Sequence, residues 1–224
     1  MTKIIGVDTA YDLVMDAVVT QALPPSQKIS ENILNEKFGI SRTVARNLIE
    51  RLSAHQFLVS VSPRITQVAP LTLLDIRQNF KLRKILLPEV ISLAGSKIDH
   101  QKIDELNAII QSLLPIQDDQ SALKLLKTNR EMNLAFCTPA GYPLMANWVR
   151  QLEDTAMRIY WLYIKTKQDF PFSKEQQGIL LEVIKADEPS KIQSVVYNMI
   201  CQTEERVLNA ILNNKQFHNQ DLLV

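Results

Sequence analysis

Residues 38–59, FGISRTVARNLIERLSAHQFLV, constrain this chain more than any other stretch. Gly39-Ile40 reads as a tight turn and Ser41 as the N-cap of the helix that follows, because a serine hydroxyl accepts from the unpaired N–H groups of a first helical turn. Winding residues 41–54 at about 100° per residue gathers Val44, Ala45, Leu48, Ile49 and Leu52 on one side. Thr43, Arg46, Asn47 and Glu50 point the other way, and Arg42 projects from the first turn. One side must therefore dock on a neighbour while the other stays in water. A helix that exposes Arg, Thr and Asn along its N-terminal half can lie in a DNA major groove and reach base edges.

The flanking segments supply the neighbours. Residues 11–21 read as a helix with Leu13, Val14, Ala17 and Val18 apolar, ended by the turn Leu23-Pro24-Pro25-Ser26. Asp8, Asp12 and Asp16 recur at four-residue spacing in this region and read as a solvated face. Ser30 then caps a short helix, 31–38, with Ile33, Leu34 and Phe38 facing inward. After the central helix, residues 57–61 and 64–69 are β-rich and flank the turn Ser62-Pro63. Helix, helix, helix, strand, strand is a winged helix-turn-helix module of roughly 60 to 70 residues. Between Lys37 and Arg64 lie Lys37, Arg42, Arg46, Arg51 and Arg64 against Glu50 alone. The whole chain carries a net charge of only +1, which excludes a non-specific basic coat but leaves this local source of phosphate contacts.

Beyond Pro70 the pattern changes to long amphipathic helices with no strand signal. They span 72–96, 100–114, 118–137, 142–167, 174–186 and 189–213, with Pro88 expected to bend the first. Six such helices imply an all-α bundle. The fold expected is thus mainly α, a winged helix-turn-helix over 1–70 followed by a helical domain over 71–224. Two cysteines, Cys137 and Cys201, sit in apolar helical contexts and read as buried, inert thiols rather than a disulfide scaffold. No apolar run reaches about 18 residues, and the first residues lack the apolar core of a signal peptide, so the expected compartment is the cytoplasm, without a membrane partner. There is no glycine-rich phosphate loop, Cys/His cluster or Ser/His/Asp arrangement, and His55, His100 and His218 lack ligand spacing. An enzyme is not expected. A helical interaction protein is also disfavoured, because a protein interface would place an apolar patch where Thr43, Arg46 and Asn47 stand.

The chain resembles the GntR family of transcription regulators in its FadR-like branch, which joins a winged helix-turn-helix to an all-helical sensing domain. The resemblance rests on Gly39-Ile40-Ser41-Arg42-Thr43, Arg46, Leu48, Leu52 and Phe57-Leu58-Val59, and later on Leu82-Arg83, Leu86, Pro88 and Leu93-Ala94. It implies that Arg42 and Arg46 read bases, with Ser41 and Thr43 reaching phosphate or base and Asn47 beside them. The arginine fork matches guanine O6 and N7. Two departures stand out: Ile65 follows the wing residue Arg64 where many relatives have glycine, and Asn32 replaces an arginine that some relatives carry on the preceding helix. One short helix covers few base pairs, so a homodimer reading a palindromic double-stranded operator is expected. The resemblance implies a regulator, most often a repressor, released by a small-molecule effector.

Much of this branch holds a divalent metal through one Asp and three His. The matching positions here are Asn129 and Asn133, then Gln176, and Asn198 when counting on from Asp187. Four neutral amides supply neither charge nor good nitrogen donors, so no transition metal or other cofactor is expected. Two alternatives remain for the helical domain. Asn129, Asn133, Gln176 and Asn198, with Arg83 and Arg158 for charge, form a pocket for a polar effector. Otherwise the amides satisfy one another in a silent core and the domain only dimerises the protein. The run Met157 to Tyr163, rich in aromatics, reads as core packing.

Overall fold

Short caps and tight turns set the first elements. The computed structural model describes residues 6–213 and Leu222; His218 and residues 1–5 of the N-terminal stretch lie outside them. Two units result, Met1–Thr72 with Gln216–Val224, and Leu73–Lys215.

The first unit contains α1 (Val7–Val19), β1 (Lys28–Ile29), α2 (Glu31–Phe38), α3 (Arg42–Ala54), β2 (Leu58–Ser62) and β3 (Ile65–Val68). Ser30 Oγ accepts from the Ile33 N–H at 3.3 Å and starts α2. Gly39 ends it at φ 66°, a left-handed conformation that a side chain would strain, and its N–H donates to the Asn35 carbonyl. Ser41 Oγ then accepts from the Val44 N–H at 3.3 Å, so α3 begins where the sequence placed it. The strands form an antiparallel sheet in the order β1-β3-β2, with a bulge between Ser60 and Ser62. β1 was not expected: two residues, Lys28 opposite Gln67 and Ile29 opposite Thr66, are too few to show an alternating pattern.

Ala45, Leu48 and Leu52 of α3 are wholly buried among Ala10, Val14, Val18, Leu34, Phe57, Leu58 and Val68, with Val44 and Ile49 half-buried at the rim. The sequence assigned 71–224 to the helical domain, yet Leu222 belongs to the first unit. Its N–H donates to the Leu71 carbonyl, and its carbonyl accepts from Gln21 Nε2, each at 3.0 Å.

Among the described residues the second unit holds six long helices: α4 (Leu73–Ala94), α5 (His100–Ser112), α6 (Asp119–Cys137), α7 (Pro143–Lys167), α8 (Lys174–Lys185) and α9 (Pro189–Leu212). α4 packs against α9 and α7, and α6 against α5 and α7. α4 continues unbroken through Pro88. Asp118 and Ser173 open α6 and α8 with reciprocal capping boxes. Cys137 is buried and burial pushes its thiol pKa up, whereas Cys201, expected to be buried, is only half so. Among the described residues no helix is long and apolar enough to cross a membrane.

Leu48→Ala removes a wholly buried side chain from the α3 seat and is expected to cost about 2–5 kcal/mol. Urea unfolding followed by circular dichroism measures it; a loss under ~1 kcal/mol would show that α3 does not depend on this seat.

Candidate nucleic-acid interface and interior polar cluster

Because the apolar side of α3 is fixed in the core, its other side has one orientation available. Ser41, Arg42, Thr43, Arg46 and Asn47 are all exposed there. Asn32, the second residue of α2, is exposed as well. Arg64 stands at the turn between β2 and β3, exposed, with its backbone N–H 3.4 Å from Ser62 Oγ. This face offers arginine forks, hydroxyls and an amide, the groups that bond phosphate oxygens and base edges.

Two of the arginines are engaged. Arg46 Nε donates to Glu31 Oε1 of α2 at 2.8 Å, with Arg46 68% and Glu31 31% exposed, so this pair sits at the surface. The hydrogen bond from Arg46 to Glu31, reinforced by that carboxylate's charge, raises the guanidinium pKa above its ordinary value. Arg51, counted in the sequence among the local cations, is turned toward α1. Its Nη1 lies 2.9 Å from Asp8 Oδ1, and its guanidinium stacks 4.1 Å above the Tyr11 ring.

The helical unit buries charge. Arg83 of α4 and Glu153 of α7 are 2% and 1% exposed, with Arg83 Nη2 2.9 Å from Glu153 Oε1. Arg83 Nη1 also donates to the Tyr160 hydroxyl. Burial opposes the Arg83 charge, but the attraction of Glu153 and Tyr160 outweighs it, and the guanidinium pKa rises above its ordinary value. Burial drives the Tyr160 hydroxyl up to about 12, so it remains a neutral acceptor and donor. Asn133 Nδ2 donates to Glu153 Oε2 at 2.7 Å, and Arg130 Nε pairs with Asp154. Arg83 Nε, Trp161 Nε1 and Asn79 Oδ1 are buried without a protein hydrogen-bond partner. Tyr160 meets Phe170 and Phe172 edge-on, in line with core packing for the aromatic run.

The four amides do not gather at one point. Asn129 and Asn133 share a face of α6, and Asn129 is buried. Gln176 is occupied elsewhere: its carbonyl accepts from the Ser173 N–H at 3.0 Å and from Arg206 Nη1 at 2.6 Å, and its Nε2 donates to Gln202. Asn198 is exposed and lines an outward groove of about 430 Å³ with Ile85, Pro88, Glu89, Gln193, Ser194 and Tyr197. The residue of α9 that meets Gln176 is therefore Gln202, one helical turn beyond the position reached by counting from Asp187. Arg158 is buried on α7.

A divalent transition metal does not fit these donors. Asn129, Asn133, Gln176 and Gln202 are carboxamides, and among the described residues no group of three or more His, Cys, Asp or Glu side chains is placed to hold one. Sequence reasoning missed Glu153, Gln202 and Glu31. Only Glu153 left a signal: Glu153-Asp154 puts two acids into the buried stripe of α7, where unpaired charge is not tolerated.

A family model described as the FCD domain matches residues 78–200. No curated protein matches the chain. Among solved structures, E. coli McbR/YncC is similar at 17% identity, covering 92% of this chain and 99% of its own, with a TM-score of 0.74. A protein from Rhodococcus sp. RHA1, described as a transcriptional regulator GntR, is similar at 13% identity over 91% of this chain and 98% of its own, with a TM-score of 0.70. A GntR family member from Pseudomonas syringae pv. tomato is similar at 17% identity over 94% and 91%, with a TM-score of 0.53. With more than half of its length matched by that model, the chain belongs to the FCD domain family, the C-terminal domain of GntR-family transcription regulators.

Proposed function

We propose that this regulator binds a palindromic double-stranded operator as a homodimer, in the cytoplasm, and represses until a small polar effector occupies its helical unit. The observation that carries the DNA reading is the exposed polar face of α3, held outward by the burial of Ala45, Leu48 and Leu52. Arg42 and Arg46 address base edges, Ser41 and Thr43 address phosphate or base, and Asn47 reads beside Arg46. Ser41 keeps its hydroxyl proton for a phosphate while its oxygen caps α3. Asn32 and Arg64 add contacts from α2 and the wing. Two copies related by a twofold axis multiply the discrimination of one short helix.

The effector site centres on Arg83 and Asn133, which share Glu153, with Asn129 one turn before Asn133 on α6 and Arg158 buried on α7. Glu153 neutralises Arg83, and Arg83 Nε, Trp161 Nε1 and Asn79 Oδ1 lack protein partners. Buried polar atoms without protein partners can be satisfied by a small polar molecule, and a carboxylate that already answers Arg83 disfavours a second anion there. Such a ligand regulates through unequal affinity for two states of the protein. The close Arg83–Glu153 pair also supports a second reading, in which the cluster is complete and the helical unit only dimerises the protein.

Arg46→Ala is expected to weaken binding to a duplex selected by the wild-type protein by roughly tenfold to a hundredfold with the fold intact, as gauged by fluorescence anisotropy. Unchanged affinity would remove α3 from the interface. A thermal-shift screen of polar metabolites is expected to yield a stabilising compound whose effect disappears in Asn133→Leu. If no compound in a broad screen stabilises the protein, the dimerisation-only reading stands.

A further inference from the structure

A carboxylate on a surface that meets phosphates lowers affinity, so one that stays there has to return something in specificity. Glu31 is such a group. It occupies the first turn of α2 behind the Ser30 cap, where the helix dipole favours a negative charge and the backbone is fixed. From there it reaches Arg46, fifteen residues on, and accepts from Nε at 2.8 Å.

We propose that Glu31 is a positioning residue that aims Arg46 at a base and denies it to phosphates, so that it sets the discrimination between operator and bulk DNA. The proposal rests on the DNA-binding reading above. The atom that is gripped decides the geometry. With Nε held by Glu31, Nη1 and Nη2 form the end of the fork, and among the described residues neither has a partner. That pair of parallel donors matches guanine O6 and N7. An ungripped arginine, 68% exposed on a long flexible stem, would meet whichever phosphate lay nearest, a contact without sequence information. Holding it beforehand also removes part of the ordering cost at the moment of binding.

Removal of the carboxylate should therefore change two affinities in opposite directions. Binding to arbitrary sequence should tighten, because a negative charge is gone and Arg46 is released to phosphates. Binding to the selected sequence should lose its advantage. A merely structural role for Glu31 would weaken both together.

The test uses the full chain and two probes: a duplex enriched by the wild-type protein from a random-sequence pool, and a scrambled duplex of the same composition. For Glu31→Ala, the ratio of the two affinities is expected to fall by about tenfold, the cost of one misread base pair. Binding to the scrambled probe should tighten, and its salt dependence should steepen by about one unit in the log–log slope. Glu31→Gln, which keeps a carbonyl acceptor for Nε, should retain part of the discrimination. In the Arg46→Ala background, Glu31→Ala should cost no further discrimination. An unchanged ratio in Glu31→Ala, or parallel weakening on both probes, overturns the proposal while leaving the DNA-binding reading in place. If the wild-type protein enriches no sequence from the pool, that underlying reading falls, and this inference with it.

Discussion

Ala45, Leu48 and Leu52 leave no exposed surface in the first unit, and that seat is what orients everything else there. Each contributes hydrophobic stabilisation on the order of 1.5–3 kcal/mol for a full aliphatic side chain, less for alanine. Because a helix cannot rotate without withdrawing such a stripe, the seat fixes which side of α3 faces water. The caps at Ser30 and Ser41 and the left-handed Gly39 then set where α2 ends and α3 begins, so that the polar face starts at the first turn of α3. The sheet closes the same core through Leu58 and Val68, with Phe57 just ahead of β2.

The helical unit is organised by a different constraint. A guanidinium and a carboxylate in an apolar interior cost several kcal/mol each to desolvate, and only close pairing with further hydrogen bonds offsets this. Arg83 and Glu153 meet that condition through each other, Tyr160 and Asn133. The pair ties α4, α6 and α7 together at one point. A carboxylate already answers the Arg83 charge, while Arg83 Nε, Trp161 Nε1 and Asn79 Oδ1 stay buried without protein hydrogen-bond partners. The interior charge of this unit is thus answered within the protein, by an ion pair and the amide that bonds it.

The two arginine–glutamate pairs illustrate one interaction in two media. Arg83–Glu153 is enclosed, where breaking it would strand a charge in low dielectric. Arg46–Glu31 is open to solvent, where the pair adds little to stability and mainly restricts geometry. The first suits a scaffold. The second suits a surface where one side-chain atom is held and the rest of the guanidinium stays open to solvent.

What the sequence determined by itself was local. Periodicity near 3.6 placed all six bundle helices, because a helix that buries one side repeats its apolar residues at that interval. Ser30, Gly39 and Ser41 announced their caps because capping is a contact within three or four residues. The exposed Thr43, Arg46 and Asn47 followed from the same winding. Tertiary structure decided what depends on residues distant in the chain. Glu31 reaches Arg46 across a turn, Arg83 finds Glu153 on another helix, Gln202 rather than Asn198 meets Gln176, and Leu222 returns to Leu71. β1 exists only because β3 lies beside it. No spacing encodes these pairings, since each is selected by which surfaces pack together once the helices have formed.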